Sequence, residues 1–184
     1  MSNRIATLHD PHRDFRDSCG FALLAHMDGE KSHWLVETTL ESLARLTHRG
    51  AVAADGKSGD GCGIMLQFPE PFLRAVADEC GLKLTERFAS GLVFFSPDEA
   101  LIERGQKILE RHLTRSALQV AGWREVPTCP EVVGKQALAS MPAIYQVFVN
   151  APAGWRSHDI ERQLFAARRL AFEEERRLDN PDPY

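Results

Sequence analysis

The chain predicts an α+β fold, in which helices and strands are mixed without a regular βαβ alternation. Two observations carry this prediction. Apolar residues recur at helical spacing in several segments, and short apolar runs bounded by turn-forming residues indicate strands elsewhere. The 184 residues are enough for one domain with a hydrophobic core, or for part of a larger domain.

The helices are predicted from apolar periodicity and from residues that favour helix ends. Ser32 is a candidate N-cap for the first helix, which we expect to end at Gly50 because glycine often follows a helix. Pro97 is expected to begin the third, since proline favours the first turn. The predicted ranges are 32 to about 48, 69–80, 97 through 112, and 157 or 158 to about 178.

The strands are predicted from apolar runs that end at turn or chain-breaking residues. The first closes at the turn signal 27–30, and the last ends before the break at 151–154. We find no internal repeat. The predicted strands are Gly20–His26, Ile64–Phe68, Phe88–Phe95, Leu118–Val126 and Ile144–Asn150.

A glycine-rich segment, Asp55–Gly63, superficially suggests a phosphate-binding loop. The Walker pattern, however, needs Gly-Lys-Ser/Thr at the point where the loop opens a helix. Here Gly56-Lys57-Ser58 leads into more glycines and then an apolar run. A tight turn with backbone at positive φ is therefore the expected structure.

Composition excludes several classes of protein. The formal net charge of −4 gives no sign of a nucleic-acid or anionic-membrane partner, and no apolar run approaches the roughly 20 residues of a spanning helix. Residues 1–18 lack the apolar region of a secretory signal, so we expect a cytoplasmic protein with reduced thiols. The four cysteines are Cys19, Cys62, Cys80 and Cys129. They form no CxxC pair, which argues against a structural zinc site.

Cys19 stands between a polar segment, 1–18, and an apolar run. If the chain is cut before it, the new terminus carries a thiol and an α-amine with a pKa of about 8. The amine can accept the thiol proton, so that one residue supplies nucleophile and base. The alternatives are that Cys19 is a buried small hydrophobe and that residues 1–18 are a disordered terminus rather than a removable leader.

Several blocks in order resemble the opening of the glutamine amidotransferase domain of the glutamate synthase large subunit, a class-II amidotransferase with an N-terminal nucleophile. The resemblance covers most of residues 19–182. The blocks that carry it are Cys19-Gly20-Phe21, Ala25-His26-Met27-Asp28-Gly29, Thr47-His48-Arg49-Gly50-Ala51, Asp55–Gly63 and Phe148–Trp155.

The resemblance implies an Ntn-hydrolase-like fold with αββα layers, incomplete here because the chain is short. It implies that residues 1–18 are a leader and that 19–184 form part of a type-2 glutamine amidotransferase domain. Cys19 corresponds to the nucleophile, Arg49 to an arginine that supports the site beside it, and Gly50 to the glycine after that arginine.

The family chemistry that the resemblance implies is hydrolysis of glutamine to glutamate and ammonia through a cysteine thioester, with the ammonia used for glutamate biosynthesis. The oxyanion-forming and substrate-anchoring residues of the family lie downstream of this chain, so we expect the chain alone to be inactive. FMN and the iron–sulfur cluster belong to other parts of the family protein, and no cofactor is expected in this chain. The partners it implies are glutamine, the missing downstream part and the small subunit.

Other interpretations stay open beside this one. His48 and Arg49 could be cations at a helix C-terminus, and Asp60 could be a turn-forming side chain. The chain could also be a non-catalytic remnant, or a partner-binding module that keeps the fold core, so whether it is an enzyme is left undecided by the sequence. The leader discriminates between them, because an active nucleophile requires Cys19 to be terminal.

Overall fold

The computed structural model describes residues 20–46, 50–59 and 61–184. They form mixed helices and antiparallel strands, which confirms the α+β prediction. The chain divides into two compact units, the first ending at Met65 but also including Gly134–Gln136, and the second formed by the rest. The elements are α1 His33–Arg45, α2 Glu70–Glu79, β1 Phe88–Phe95, α3 Glu99–Arg115, β2 Gln119–Glu125, a 3₁₀ turn Pro130–Val132, α4 Lys135–Leu138, β3 Ala143–Asn150 and α5 Ser157–Glu175.

Helix α1 begins where the sequence predicts. Ser32 is the N-cap, and its hydroxyl oxygen accepts a hydrogen bond from the Leu35 N–H at 3.3 Å. The helix ends earlier than predicted, at Arg45, where the Leu46 N–H turns back to the Leu43 carbonyl at 3.0 Å. Gly50 therefore does not terminate it directly.

Two predicted strands are wrong. Gly20–His26 and Ile64–Phe68 carry apolar residues but belong to no strand in the described part of the chain. The side chains of Phe21 and Leu23 are 93% and 90% exposed. A strand needs a neighbour for its N–H and C=O groups, and no segment described in the structure pairs with either run.

The second unit is built on a three-stranded sheet in the order β1-β3-β2, with both pairs antiparallel. Asn150, the last residue of β3, lies opposite Phe88 on one side and Gln119 on the other. The register of β2 shifts between Val120 and Gly122, which is a β-bulge. All three strands were predicted to within a residue or two of their ends.

Alternation along β3 sends neighbouring side chains into two different apolar clusters. Val147 and Val149 pack with residues of α3 and α5, including Leu113 and Ala167. Phe148, fully buried, packs on the opposite face against α2. The second unit therefore has helices on both sides of its sheet.

Helix α2 contributes Leu73, Val76 and Ala77 to the buried core, whereas its Phe72 is exposed. Within the described residues no helix is long and apolar enough to cross a membrane.

The later helices differ from prediction mainly at their ends. Helix α3 begins one residue after its N-cap Asp98, whose carboxylate accepts hydrogen bonds from the Ala100 and Leu101 N–H groups at 2.9 and 3.1 Å. Helix α5 ends at Glu175 rather than near Leu178. The 3₁₀ turn and α4 were not predicted, since neither is long enough to show a period.

Charged side chains hold α3 and α5 together over the apolar cluster. Glu174 on α5 accepts a hydrogen bond from Arg111, and its other carboxylate oxygen lies 2.8 Å from Nε2 of buried His112. Arg104 on α3 forms an ion pair with Glu175. The two helices are thus fixed by polar contacts as well as by burial.

Candidate functional site

The predicted site residues fall mostly outside the described residues. Cys19 and Arg49 lie outside them, as do His48 and Asp60, so the roles given to these residues stay predictions. Gly50 is described, and it is an exposed residue in a bend. The structure therefore gives the polypeptide that follows Arg49, but not the geometry around the predicted nucleophile.

The segment after Gly50 folds back on itself. Val52 and Gly59 form an isolated antiparallel bridge, and the Ala53 N–H donates to the Ser58 carbonyl at 2.8 Å. Gly56 has φ of +71°, a conformation that glycine adopts without strain. The prediction of a tight turn with backbone at positive φ is confirmed for this segment, which we call the 52–59 hairpin.

The carboxylate of Asp55, an exposed residue of the first unit, joins two segments of the chain. It accepts hydrogen bonds from the side chain of Ser58 and from the N–H groups of Ser58, Lys57 and Gln136. The Ser58 hydroxyl, followed by these backbone donors, holds the pKa of Asp55 far below its usual range. Asp55 is therefore ionised at neutral pH.

The sequence did not predict the contact between Asp55 and Gln136. The spacing of Asp55, Lys57 and Ser58 is typical of an aspartate that bonds backbone N–H groups two and three residues later. That signal could have identified the local turn. Nothing in the sequence pairs this turn with a segment about eighty residues away, because the partner contributes only a backbone N–H.

Asn150 has a structural role. Its Oδ1 accepts from the Thr85 N–H at 2.9 Å, and its Nδ2 donates to the Lys83 carbonyl at 3.0 Å. The side chain is buried and both ends of its amide are occupied. The Asn150 side chain therefore joins the segment that holds Lys83 and Thr85 to the end of β3.

The described donors do not fit a metal or an iron–sulfur cluster. Among the residues of the described part, no group of three or more His, Cys, Asp or Glu side chains could hold a metal ion. Cys62, Cys80 and Cys129 are free and exposed, and an iron–sulfur cluster is generally held by four cysteine thiolates.

The family model of class-II glutamine amidotransferases matches residues 19–183. The chain belongs to this family. The match begins at Cys19, the residue predicted as the nucleophile, and takes in nearly all of the described residues of this class-II amidotransferase chain.

Curated relatives agree with the family match. The chain is 36% identical over 169 residues to ferredoxin-dependent glutamate synthase 1 of Arabidopsis thaliana, covering 91% of this chain. It is 34% identical to ferredoxin-dependent glutamate synthase 2 of Synechocystis and to the large chain of the NADPH glutamate synthase of Bacillus subtilis, each over 84% of this chain. In all three cases the chain spans about 10% of the relative's length. The predicted resemblance to glutamate synthase large subunits is confirmed.

Proposed function

We propose that this chain is the amino-terminal part of a glutamate synthase glutaminase domain, in which Cys19 is the nucleophile that releases ammonia from glutamine. The observation that carries the proposal is the family match over residues 19–183, together with relatives that are all named glutamate synthases. The fold we propose for the completed domain is the αββα Ntn-hydrolase arrangement.

In the proposed reaction, removal of residues 1–18 exposes the α-amine of Cys19. The amine, with a pKa of about 8, accepts the thiol proton while the sulfur attacks the side-chain amide carbon of glutamine. The C–N bond breaks, the amine returns the proton to the leaving nitrogen, and ammonia departs from a thioester. Water then attacks the thioester, which releases glutamate and restores the thiol.

Arg49 and Gly50 support this site in the proposal. Arg49 keeps the nucleophile's surroundings in place, and Gly50 gives the backbone after it an unhindered bend. The groups that stabilise the oxyanion and anchor glutamine are contributed by segments other than this chain. Since loss of a single oxyanion donor costs about a hundredfold or more in rate, the 184-residue polypeptide alone is proposed to be inactive.

The proposed setting is glutamate biosynthesis in the cytoplasm, where the ammonia is passed to 2-oxoglutarate. Glutamine is the substrate of this domain, and the remaining part of the large subunit and a small subunit are its partners. FMN and the iron–sulfur cluster belong to those other parts in this proposal.

The test is Cys19-dependent glutaminase activity. Protein purified from its own cells, with every segment and partner that it carries there, is assayed for glutamate release from glutamine. Cys19→Ala is expected to lower the rate by about a thousandfold or more, since the covalent route is lost. Cys80→Ala, which removes an exposed thiol in the second unit, is the matched control and should keep full activity. Equal activity in the wild type and in Cys19→Ala would overturn the proposal.

A further inference from the structure

The hydrogen bonds of Asp55 join two segments that are far apart in the sequence. Its Oδ1 accepts from the Lys57 N–H at 3.0 Å and from the Ser58 N–H at 2.8 Å, which closes the local turn. Its Oδ2 accepts from the Ser58 hydroxyl at 2.6 Å and from the Gln136 N–H at 3.2 Å. The two oxygens thus have separate tasks, since only Oδ2 reaches residues 134–136.

The close approach of the second segment depends on a glycine. A Cβ atom added at Gly134 would lie 2.2 Å from the Ser58 hydroxyl oxygen, 2.5 Å from the Ser58 nitrogen and 2.7 Å from Asp55 Oδ2. No side chain fits at those distances. Gly134 therefore lets the backbone of 134–136 lie directly on the turn that Asp55 and Ser58 form.

Ser58 shows how tightly the two segments are packed. It is 7% exposed and is buried, although most of the hairpin around it is open to solvent. The apolar side chains near it in the sequence do not explain this burial, because Val52 is 66% exposed and Met65 is 99% exposed. We call the polar contacts among Asp55, Ser58, Gly134 and Gln136 the Asp55 link, and they lie directly against the buried Ser58 side chain.

The Asp55 link lies on the polypeptide that follows the predicted site residues Arg49 and Gly50 in the sequence. The 52–59 hairpin starts two residues after Gly50, so fixing the hairpin fixes the direction of the chain after Arg49 and Gly50. A misplacement of about 1 Å in groups that position a reaction can cost about a hundredfold in rate.

We propose that Asp55 is a positioning residue of the glutaminase site, which holds the backbone after Arg49 and Gly50 in place by binding the 52–59 hairpin to residues 134–136. The inference rests on the proposed function. Asp55 touches no reacting atom; it acts through the chain segment that Arg49 begins.

Asp55→Asn separates the two tasks of the carboxylate. Asparagine keeps Oδ1 for the Lys57 and Ser58 N–H groups but places an N–H donor where Oδ2 meets the Gln136 N–H. The local turn should survive while the link to 134–136 is lost. Asp55→Ala removes both, and Gly134→Ala breaks the link from the other segment.

Two matched controls are available in the second unit. Asp98→Asn replaces another exposed aspartate that accepts two backbone N–H groups, and asparagine is an equally good N-cap there. Gly91→Ala adds a Cβ that has no heavy atom within 4 Å. Both should leave activity and exchange at the hairpin unchanged.

The experiment measures amide hydrogen exchange and glutamine hydrolysis on the protein purified from its own cells. In Asp55→Asn, the Gln136 amide should exchange about tenfold faster while the Ser58 amide stays protected, as expected for the loss of one hydrogen bond. In Asp55→Ala both amides should exchange faster. In both variants and in Gly134→Ala, kcat should fall at least about tenfold with a smaller change in KM.

The outcomes separate this inference from the proposed function. If Asp55→Asn and Gly134→Ala free the Gln136 amide but kcat is unchanged, the Asp55 link is structural only, the inference is overturned and the glutaminase assignment stands. The same holds if the Gln136 amide is unprotected in the wild type. If the wild type shows no Cys19-dependent hydrolysis, the proposed function fails and the positioning role fails with it.

Discussion

Asn150 and Thr85 are joined by a hydrogen bond from the Thr85 N–H to Asn150 Oδ1, 2.9 Å long, across 65 positions of the sequence. The Thr85 hydroxyl lies 3.3 Å from the same oxygen, and Asn150 Nδ2 donates to the Lys83 carbonyl. One buried amide thus attaches the segment that leads into β1 to the end of β3. The Asn150 side chain binds the backbone of residues 83–85, which precede β1, in the way that a neighbouring strand binds the backbone within the sheet.

Asn150→Ala is expected to destabilise the second unit by about 1–3 kcal/mol, because the Thr85 N–H and the Lys83 carbonyl lose their partner in a buried position. Urea unfolding, followed by far-UV circular dichroism, measures the change. Asn180→Ala, at an exposed asparagine, is the control and should change the free energy of unfolding by no more than about 0.5 kcal/mol. Equal midpoints for the two variants would contradict the role given to Asn150.

Acid should weaken the contact between α3 and α5 through Glu174. Hydrogen bonding to His112, followed by that to Arg111, lowers the pKa of Glu174 in the folded protein. A carboxylate whose folded pKa is depressed stabilises the fold above its unfolded pKa, and that stability is lost as the pH falls through the folded pKa. Melting temperatures from pH 6 down to pH 3 should therefore fall less steeply in Glu174→Gln than in the wild type.

The control for this pH dependence is Glu161→Gln on the same helix, an exposed glutamate, which should follow the wild-type profile. Parallel profiles for the wild type and Glu174→Gln would show that the His112 contact contributes no pH-dependent stability.

Gly105→Ala should destabilise the protein although alanine favours helices by about 1 kcal/mol relative to glycine. A Cβ at Gly105 would lie 2.6 Å from Phe95 Cε1, and Phe95 is buried against Trp123 and Tyr145, so its ring has little room to move. We expect a net loss of about 1–2 kcal/mol in thermal or urea unfolding.

A second substitution tests the cause of that loss. In a Phe95→Leu background the smaller side chain leaves space, so Gly105→Ala should cost less than it does in the wild type. The same cost in both backgrounds would show that the contact with Phe95 is not responsible.

Processing is the prediction that bears most directly on the nucleophile. If Cys19 works through its own α-amine, the active protein must begin at Cys19, because an amide nitrogen cannot accept a proton as an amine does. Mass spectrometry of the N-terminal peptide from glutamine-hydrolysing protein should therefore find no residues 1–18. An active protein that retains Met1 or Ser2 would rule out the N-terminal-nucleophile mechanism.

The sequence predicted the second unit well because its elements have both a period and a partner. β1, β2 and β3 were found as apolar runs, and each has a neighbour that satisfies its backbone. Gly20–His26 showed an equally apolar run but has no neighbour within the described residues. Apolar patterning reports which side chains avoid water, whereas strand pairing depends on residues elsewhere in the chain.

The candidate site, too, combines residues that sequence motifs point to with a contact that no motif shows. Short motifs predict Cys19, Arg49 and Gly50 as site residues because each carries side-chain chemistry or a backbone constraint that appears in the sequence. The Asp55 link escaped prediction since one of its donors is the backbone N–H of Gln136, which any residue except proline could supply. Its sequence signal at the second segment is limited to Gly134, and a glycine in a loop has many explanations.

The order of strands in the sheet has a consequence for synthesis of the protein. β3 lies between β1 and β2 and is the last of the three along the chain, so within the described residues neither earlier strand has its sheet neighbour until residues 143–150 have left the ribosome. At a synthesis rate of about 5–20 residues per second, several seconds pass between the synthesis of β1 and that of β3. During that interval the unpaired apolar strand Phe88–Phe95 can associate with other nascent chains. A chaperone that binds this strand would prevent that association until β3 is available.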